Sequence, residues 1–281
     1  MDAIPFIKMH GLGNDFVVID AREKTIELDA QAARRIADRR FGVGCDQLII
    51  LATPLHRDAQ AYMAIYNADG SESAACGNAT RCVAALLMAQ SGADEAVIET
   101  PAGILIGIGQ ADGITVAMGQ PGLTWQDIPL SEDVDTLHLP LKAGPVSDPA
   151  ACSMGNPHAT FFVPDVAAID IPAIGPGLEN HALFPQRANI GFAEVRGRDR
   201  LRLRVWERGA GLTLACATGS CAAVVNGVRR GLLDRRVTCE LDGGELIVEW
   251  RKQDDHVVMT GPVAVAYTGM LSPQVVYGEG A

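Results

Sequence analysis

The chain is poor in aromatic residues, 5% of 281 positions, although 48% of it is hydrophobic. Its core must therefore be aliphatic, and 30 glycines point to many turns and close backbone approaches. Clustered positive charge is also lacking. The net charge is −11, and the short pairs Arg34–Arg35, Arg39–Arg40 and Arg229–Arg230 are too small to track a phosphate backbone. A nucleic-acid partner and an anionic membrane surface are both excluded on that ground. No apolar run approaches a membrane span. The opening MDAIPFIKMHGLGNDF lacks the charged-then-apolar pattern of a signal peptide, so a cytoplasmic protein is expected. The seven cysteines are odd in number and show no CxxC spacing, which argues against a disulfide framework and a structural zinc site. HGLGND carries neither GxGxxG nor a Walker lysine, so it is not read as a nucleotide loop.

What the chain does contain is itself, twice. YNADGSESAACGNATRCVAALL (66 to 87) lies over WERGAGLTLACATGSCAAVVNG (206 to 227), with Tyr66 and Trp206 each ten residues before Cys76 and Cys216. The same offset, about half the chain, relates AVIETPAG to RVTCELDGG, GITVAMGQP to DHVVMTGP, and KMHGLGNDFVVI to CSMGNPHATFFV. Two similar halves follow, residues 1–120 plus 263–281 and residues 121–262, joined near PGLTWQDIPLSEDV. Each mixes period-two strands (FVVID, QLIIL, GILIGIG, ELIVEW) with few helices, and the helices after Cys76 and Cys216 are apolar on nearly all sides at their start. The expected fold is mixed α/β, of the α+β kind: two pseudo-symmetric domains, each a curved mixed sheet around a central helix. The tail VAVAYTG is expected to cross back to the first sheet.

Cys76 and Cys216 each precede small and polar residues at the mouth of such a helix. Helix N-termini present free N–H groups, attract carboxylates and favour thiolate over thiol. Two such termini suit a carboxylate-bearing substrate. One thiolate removes the α-proton from one face, and one thiol returns a proton to the other, which inverts the carbon.

KMHGLGNDF, GCDQLI, YNADGSE, ACGN, GNPHA, RANIGF and RVWERGAGLTLACATGSCAA, along nearly the whole chain, resemble the diaminopimelate epimerase family. The resemblance implies cofactor-independent interconversion of LL- and meso-2,6-diaminopimelate, no metal, and a homodimer. It implies Cys76 and Cys216 as the catalytic bases, and Gly77, Asn78, Ala217 and Thr218 as the carboxylate cradle. Asn14, Gln47, Asn67, Asn156, Asn189 and Arg208 would read the substrate, with His158 and Glu207 flanking the thiols. The chain departs from the family pattern at Ala217, where glycine is usual, at Ala79–Thr80, and at Cys45.

Plainer readings stand beside these. Either cysteine alone would be a core thiol, as Cys45, Cys82, Cys152, Cys221 and Cys239 are read to be. Asn14, Asn67 and Asn156 suit turns, and Glu207–Arg208 suits a surface pair. A racemase of another amino acid, a redox pair of thiols and an amino-acid binding protein are the alternative functions.

Overall fold

The computed structural model describes residues 3–24, 26, 28–74 and 76–278. The extreme ends of the expected first half, and Ala75 of the ACGN motif, lie outside the described residues. The chain divides into two compact units. One runs to Val116 and resumes at Gly261, and the other is Ala117–Thr260.

In the first unit, β1 (Ile4–Gly11) and β2 (Asn14–Asp20) form an antiparallel hairpin. After α1 (Ala30–Ala37), β3 (Gln47–Ala52) joins β2 in parallel, and β4 (Ala61–Asn67) returns beside it. The short β5 (Glu72–Ser73) folds back on β4, and α2 (Gly77–Ser91) follows. Then β6 (Glu95–Thr100) runs parallel to β4, and β7 (Gly103–Gln110) and β8 (Gly113–Ala117) extend the sheet antiparallel.

The second unit repeats this order. After a small ribbon of β9 (Lys142–Ala143) and β10 (Val146–Ser147), β11 (Ala150–Ser153) and β12 (Pro157–Phe162) form the hairpin. α3 (Ile171–Glu179) leads to β13 (Asn189–Gly197), parallel to β12, and to β14 (Arg200–Glu207) and the short β15 (Gly211–Leu212). α4 (Ala217–Arg229) precedes β16 (Arg236–Leu241), parallel to β14, then β17 (Gly244–Trp250) and β18 (Val257–Gly261). The chain finally re-enters the first unit, where β19 (Ala264–Leu271) pairs with β1 and α5 (Pro273–Tyr277) packs against α1. The mixed α/β class expected from the sequence is met.

Strand register carries the duplication to single residues. Leu48 lies opposite Tyr66 and Ile190 opposite Trp206, so Gln47 matches Asn189 and Asn67 matches Glu207. In the first unit alternate residues feed two cores. Phe16, Val18, Ile49 and Leu51 pack with Ala79, Cys82, Val83 and Leu87 of α2. Val17, Ile19, Leu48 and Ile50 pack with Ala33 and Ile36 of α1. A strand covered on both faces reads as a continuous apolar run, which is why FVVID and QLIIL show little alternation. Burying the helix costs its polar N-terminus access to water unless something else serves those groups.

Candidate active site

Cys76 is the N-cap of α2 and Cys216 the N-cap of α4, both with extended backbone. Serine, threonine, aspartate and asparagine are the usual residues there. The two caps share further detail. Thr80 and Ser220, each four residues on, donate their hydroxyls to the carbonyls of Cys76 and Cys216, both at 2.9 Å. The residues just inside each helix, Gly77–Asn78 and Ala217–Thr218, carry N–H groups with no carbonyl one turn back in the helix to accept them.

Around Cys76, the Asn14 Oδ1 lies 3.9 Å from the sulfur and accepts from Asn78 Nδ2 at 3.0 Å. The Asn14 amide has only one consistent orientation, because its Nδ2 donates to the carboxylate of Asp46 at 2.9 Å. Asp46 is in turn held by Arg39 at 2.7 Å, which also grips Asp15, and the buried Lys8 bonds Asp15 and the carbonyl of Gly44. Gln47 donates to Asn67 Oδ1 at 2.9 Å, and Asn67 to the Ser71 hydroxyl at 3.0 Å. Two acceptors here, Gln47 Oε1 and Asn78 Oδ1, are buried and meet no donor. An orphaned buried acceptor costs about 1–3 kcal/mol, so each is a place for a ligand's N–H.

Around Cys216 the chemistry differs. Its thiol donates to Glu207 Oε2 at 3.0 Å, and Thr213 donates to the other carboxylate oxygen. The Gly219 N–H reaches the sulfur at 3.4 Å. A Cβ at Gly219 would stand 3.1 Å from that sulfur and 2.9 Å from Val205, so only glycine lets the amide approach. The pull of the helix end toward thiolate is opposed here. Burial, then the charge and hydrogen bond of Glu207, push the Cys216 thiol well above its ordinary pKa, and the Gly219 amide and Thr218 hydroxyl pull back too weakly.

Asn156 and His158 meet through Oδ1 and Nε2 at 2.9 Å. Burial and then the charge of Arg208 drive the His158 pKa down to about 3, so the ring is neutral. Asn189 donates to the Pro157 carbonyl at 3.1 Å and accepts the Arg208 N–H at 3.0 Å. The expected site residues thus fall into bonded groups, Cys76 with Asn14 and Asn78, Gln47 with Asn67, Cys216 with Glu207 and Thr218, Asn156 with His158, and Asn189 with Arg208. The remaining thiols sit in the core, where burial raises Cys45 to about 11 and Cys82 and Cys152 to about 12. Asp46, Asp15, Arg39, Lys8 and Thr213 escaped the sequence reading. Asp15 and Asp46 had a usable signal, since they directly adjoin Asn14 and Gln47 inside quoted motifs. Among the described residues no group of three or more His, Cys, Asp or Glu is placed to hold a metal, and no helix is long and apolar enough to cross a membrane.

The duplicated sheet-and-helix unit is a fold shared with solved epimerases and isomerases. It matches a solved hydroxyproline epimerase from Agrobacterium vitis with a TM-score of 0.68 at 15% identity, covering 99% of this chain and 97% of that one. A phenazine biosynthesis protein of the PhzF family from Enterococcus faecalis matches with a TM-score of 0.70 at 11% identity, over 96% and 100%. Those likenesses establish the fold alone. The diaminopimelate epimerase family model matches residues 6–124 and 150–266. The diaminopimelate epimerase of Acidiphilium cryptum (strain JF-5) is 60% identical over 96% of both chains, and that of Rhodospirillum centenum (strain ATCC 51521 / SW) 55% identical over 98% of this chain and 94% of its own. The chain belongs to the diaminopimelate epimerase family.

Proposed function

We propose that the chain is an isomerase that interconverts LL- and meso-2,6-diaminopimelate by two-base, cofactor-independent inversion at one α-carbon. Family membership across nearly the whole chain supports the reaction and the substrate. The observation that carries the mechanism is the pair of thiols capping two matched buried helices.

In this reading one cysteine, as thiolate, takes the α-proton, and an S–H bond forms as the C–H bond breaks. The electron pair left on carbon delocalises into the α-carboxylate, a charge that helix-start N–H groups of the kind Gly77–Asn78 carry can stabilise. The second thiol then delivers its proton to the opposite face. Each turnover exchanges the two protonation states, so the enzyme works in both directions. The orphaned acceptors on Gln47 and Asn78 suit an ammonium group. Asn14, Asn67, Asn156, Asn189 and Arg208 read the rest of the substrate, where a guanidinium grips a carboxylate through paired bonds. Glu207 keeps Cys216 protonated until needed, and neutral His158 is held to hydrogen-bond without charge.

A homodimer also belongs to this reading. On β19, which pairs with β1, Val265, Tyr267 and Met270 are 56%, 49% and 62% exposed, apolar surface of the kind a second copy covers. The free cysteines suit a reducing, cytoplasmic setting. The test is incubation with LL-diaminopimelate in heavy water without added cofactor. Meso product carrying one solvent deuterium at the inverted carbon supports the proposal. Product without deuterium, or turnover only with added pyridoxal phosphate, ends it.

A further inference from the structure

Glu179 closes α3 and is 6% exposed, yet nothing in the reaction above uses it. Its carboxylate is engaged on three sides. Oε2 accepts the Trp206 indole N–H at 2.7 Å, and Oε1 accepts the backbone N–H of Gly209 at 2.9 Å and a weaker bond from Arg187 at 3.3 Å. Its own carbonyl accepts the Ala188 N–H at 3.1 Å. These partners bracket the substrate-reading residues. Ala188 precedes Asn189, Trp206 precedes Glu207, and Gly209 follows Arg208. The indole packs closely on Gly175 of α3, where an added Cβ would stand 2.5 Å from its ring. Arg208 itself is exposed, with its N–H on Asn189 and its guanidinium on the Gln186 carbonyl at 3.0 Å. We infer that Glu179 is a positioning residue, a buried acceptor-only clamp that fixes the Glu207–Arg208 turn against Asn189 so that Arg208 is aimed before substrate arrives.

The bonds of Glu179 to neutral donors matter most. Arg187 is half exposed, and such an ion pair contributes little. By contrast, a charged acceptor inside the fold strengthens each neutral N–H bond and leaves no orphan. Pre-aiming a binding group lowers the ordering cost of association, so the clamp acts on KM more than on kcat. The inference rests on the epimerase reading. Wild-type turnover tests that reading alone, whereas the ratio of variant to wild type tests the clamp.

Glu179→Gln supplies the experiment, read as kcat and KM for LL-diaminopimelate. The amide has one oxygen and one NH2, so its nitrogen must confront either the indole N–H or the Gly209 N–H. Losing one bond to a charged acceptor predicts a rise in KM of about tenfold or more, with kcat within about threefold. Glu179→Gln combined with Trp206→Phe removes the competing donor. The amide nitrogen then faces the vacated side, its oxygen accepts from Gly209, and KM returns to within about threefold of the Trp206→Phe single variant. An unchanged KM in folded Glu179→Gln overturns the clamp, as does a defect that Trp206→Phe fails to relieve. If Glu179→Gln does not fold, wild-type hydrogen exchange decides. The Gly209 amide is expected to exchange at least about tenfold slower than an unbonded amide in an exposed turn, and exchange at the unbonded rate overturns the proposal.

Discussion

The two thiols occupy the same position in the same fold and meet opposite surroundings. The Cys216 thiol donates a hydrogen bond to a carboxylate 3.0 Å away, while Cys76 faces an amide oxygen at 3.9 Å. Strand register makes Glu207 the counterpart of Asn67, so the carboxylate that meets Cys216 stands where the first unit carries an amide. Behind the caps the contrast extends. α2 buries Arg81, whose charge and that of Cys76 both act on Cys82, whereas the matched position in α4 is Cys221. Duplication thus copies the backbone that places the two thiols, and divergence gives them different hydrogen-bond partners.

The comparison breaks most violently when one sulfur is removed. Cys76→Ala and Cys216→Ala are each expected to cut epimerisation by about 10³-fold, within the range of a lost general acid or base. A chirality-resolved assay checks this, and either variant keeping full activity would sink the two-base scheme. Next in size is Glu207→Gln, which makes the second unit resemble the first. Removing the carboxylate charge lowers the Cys216 pKa, since that charge now helps to raise it. In a Cys76→Ala background, iodoacetamide should alkylate Cys216 faster at neutral pH, with the titration midpoint moved down. Epimerisation by the single variant should fall about 10²-fold. A midpoint that stays put or moves up would mean that burial alone raises the thiol.

The duplication, the mixed fold and the cysteines at helix mouths were all readable, because each is written in short local patterns repeated at one offset. The surroundings of the caps were not. Asp46 reaches Asn14 across 32 residues, and Glu179 reaches Gly209 across 30. No periodicity links such pairs, since the contact exists only once α1 and α3 have packed on their sheets. The Cys216 shift was missed for a related reason. A helix N-terminus is visible in sequence, but burial and a neighbouring carboxylate are tertiary facts, and they outweigh it.

Acid should separate the units as well. Burial and Arg208 hold His158 at about 3, against an ordinary 6.5. Between those values only the unfolded chain binds the proton. The second unit's stability is therefore full above about pH 6.5 and falls by roughly 1.4 kcal/mol per pH unit as pH drops toward 3. In the first unit burial raises Asp15, but Arg39 and Lys8 outweigh it and hold the group at about 2, against 3.8. Its contribution is intact above about pH 4 and is lost only as pH falls through 2. Hydrogen exchange at pH 7 and pH 5 should show β12 and β13 loosening while β2 and β3 stay protected. Loosening of the first unit at pH 5 would contradict this order.

The gentlest perturbation erases a difference at the helix start. Ala217 is buried at the first position of α4, where α2 has Gly77. Ala217→Gly keeps the backbone N–H proposed to hold the carboxylate, but glycine loses more chain entropy on entering a helix. The cost is at most about 1 kcal/mol and less at a helix end, which corresponds to a Tm lower by about 2 °C. Turnover should stay within about twofold, because the group offered to substrate is the same amide. Calorimetry and kcat/KM measured together decide the matter. A gain of tenfold or more in kcat/KM would show that the extra methyl crowds the substrate, and would make the second cradle tighter than the first rather than its equal.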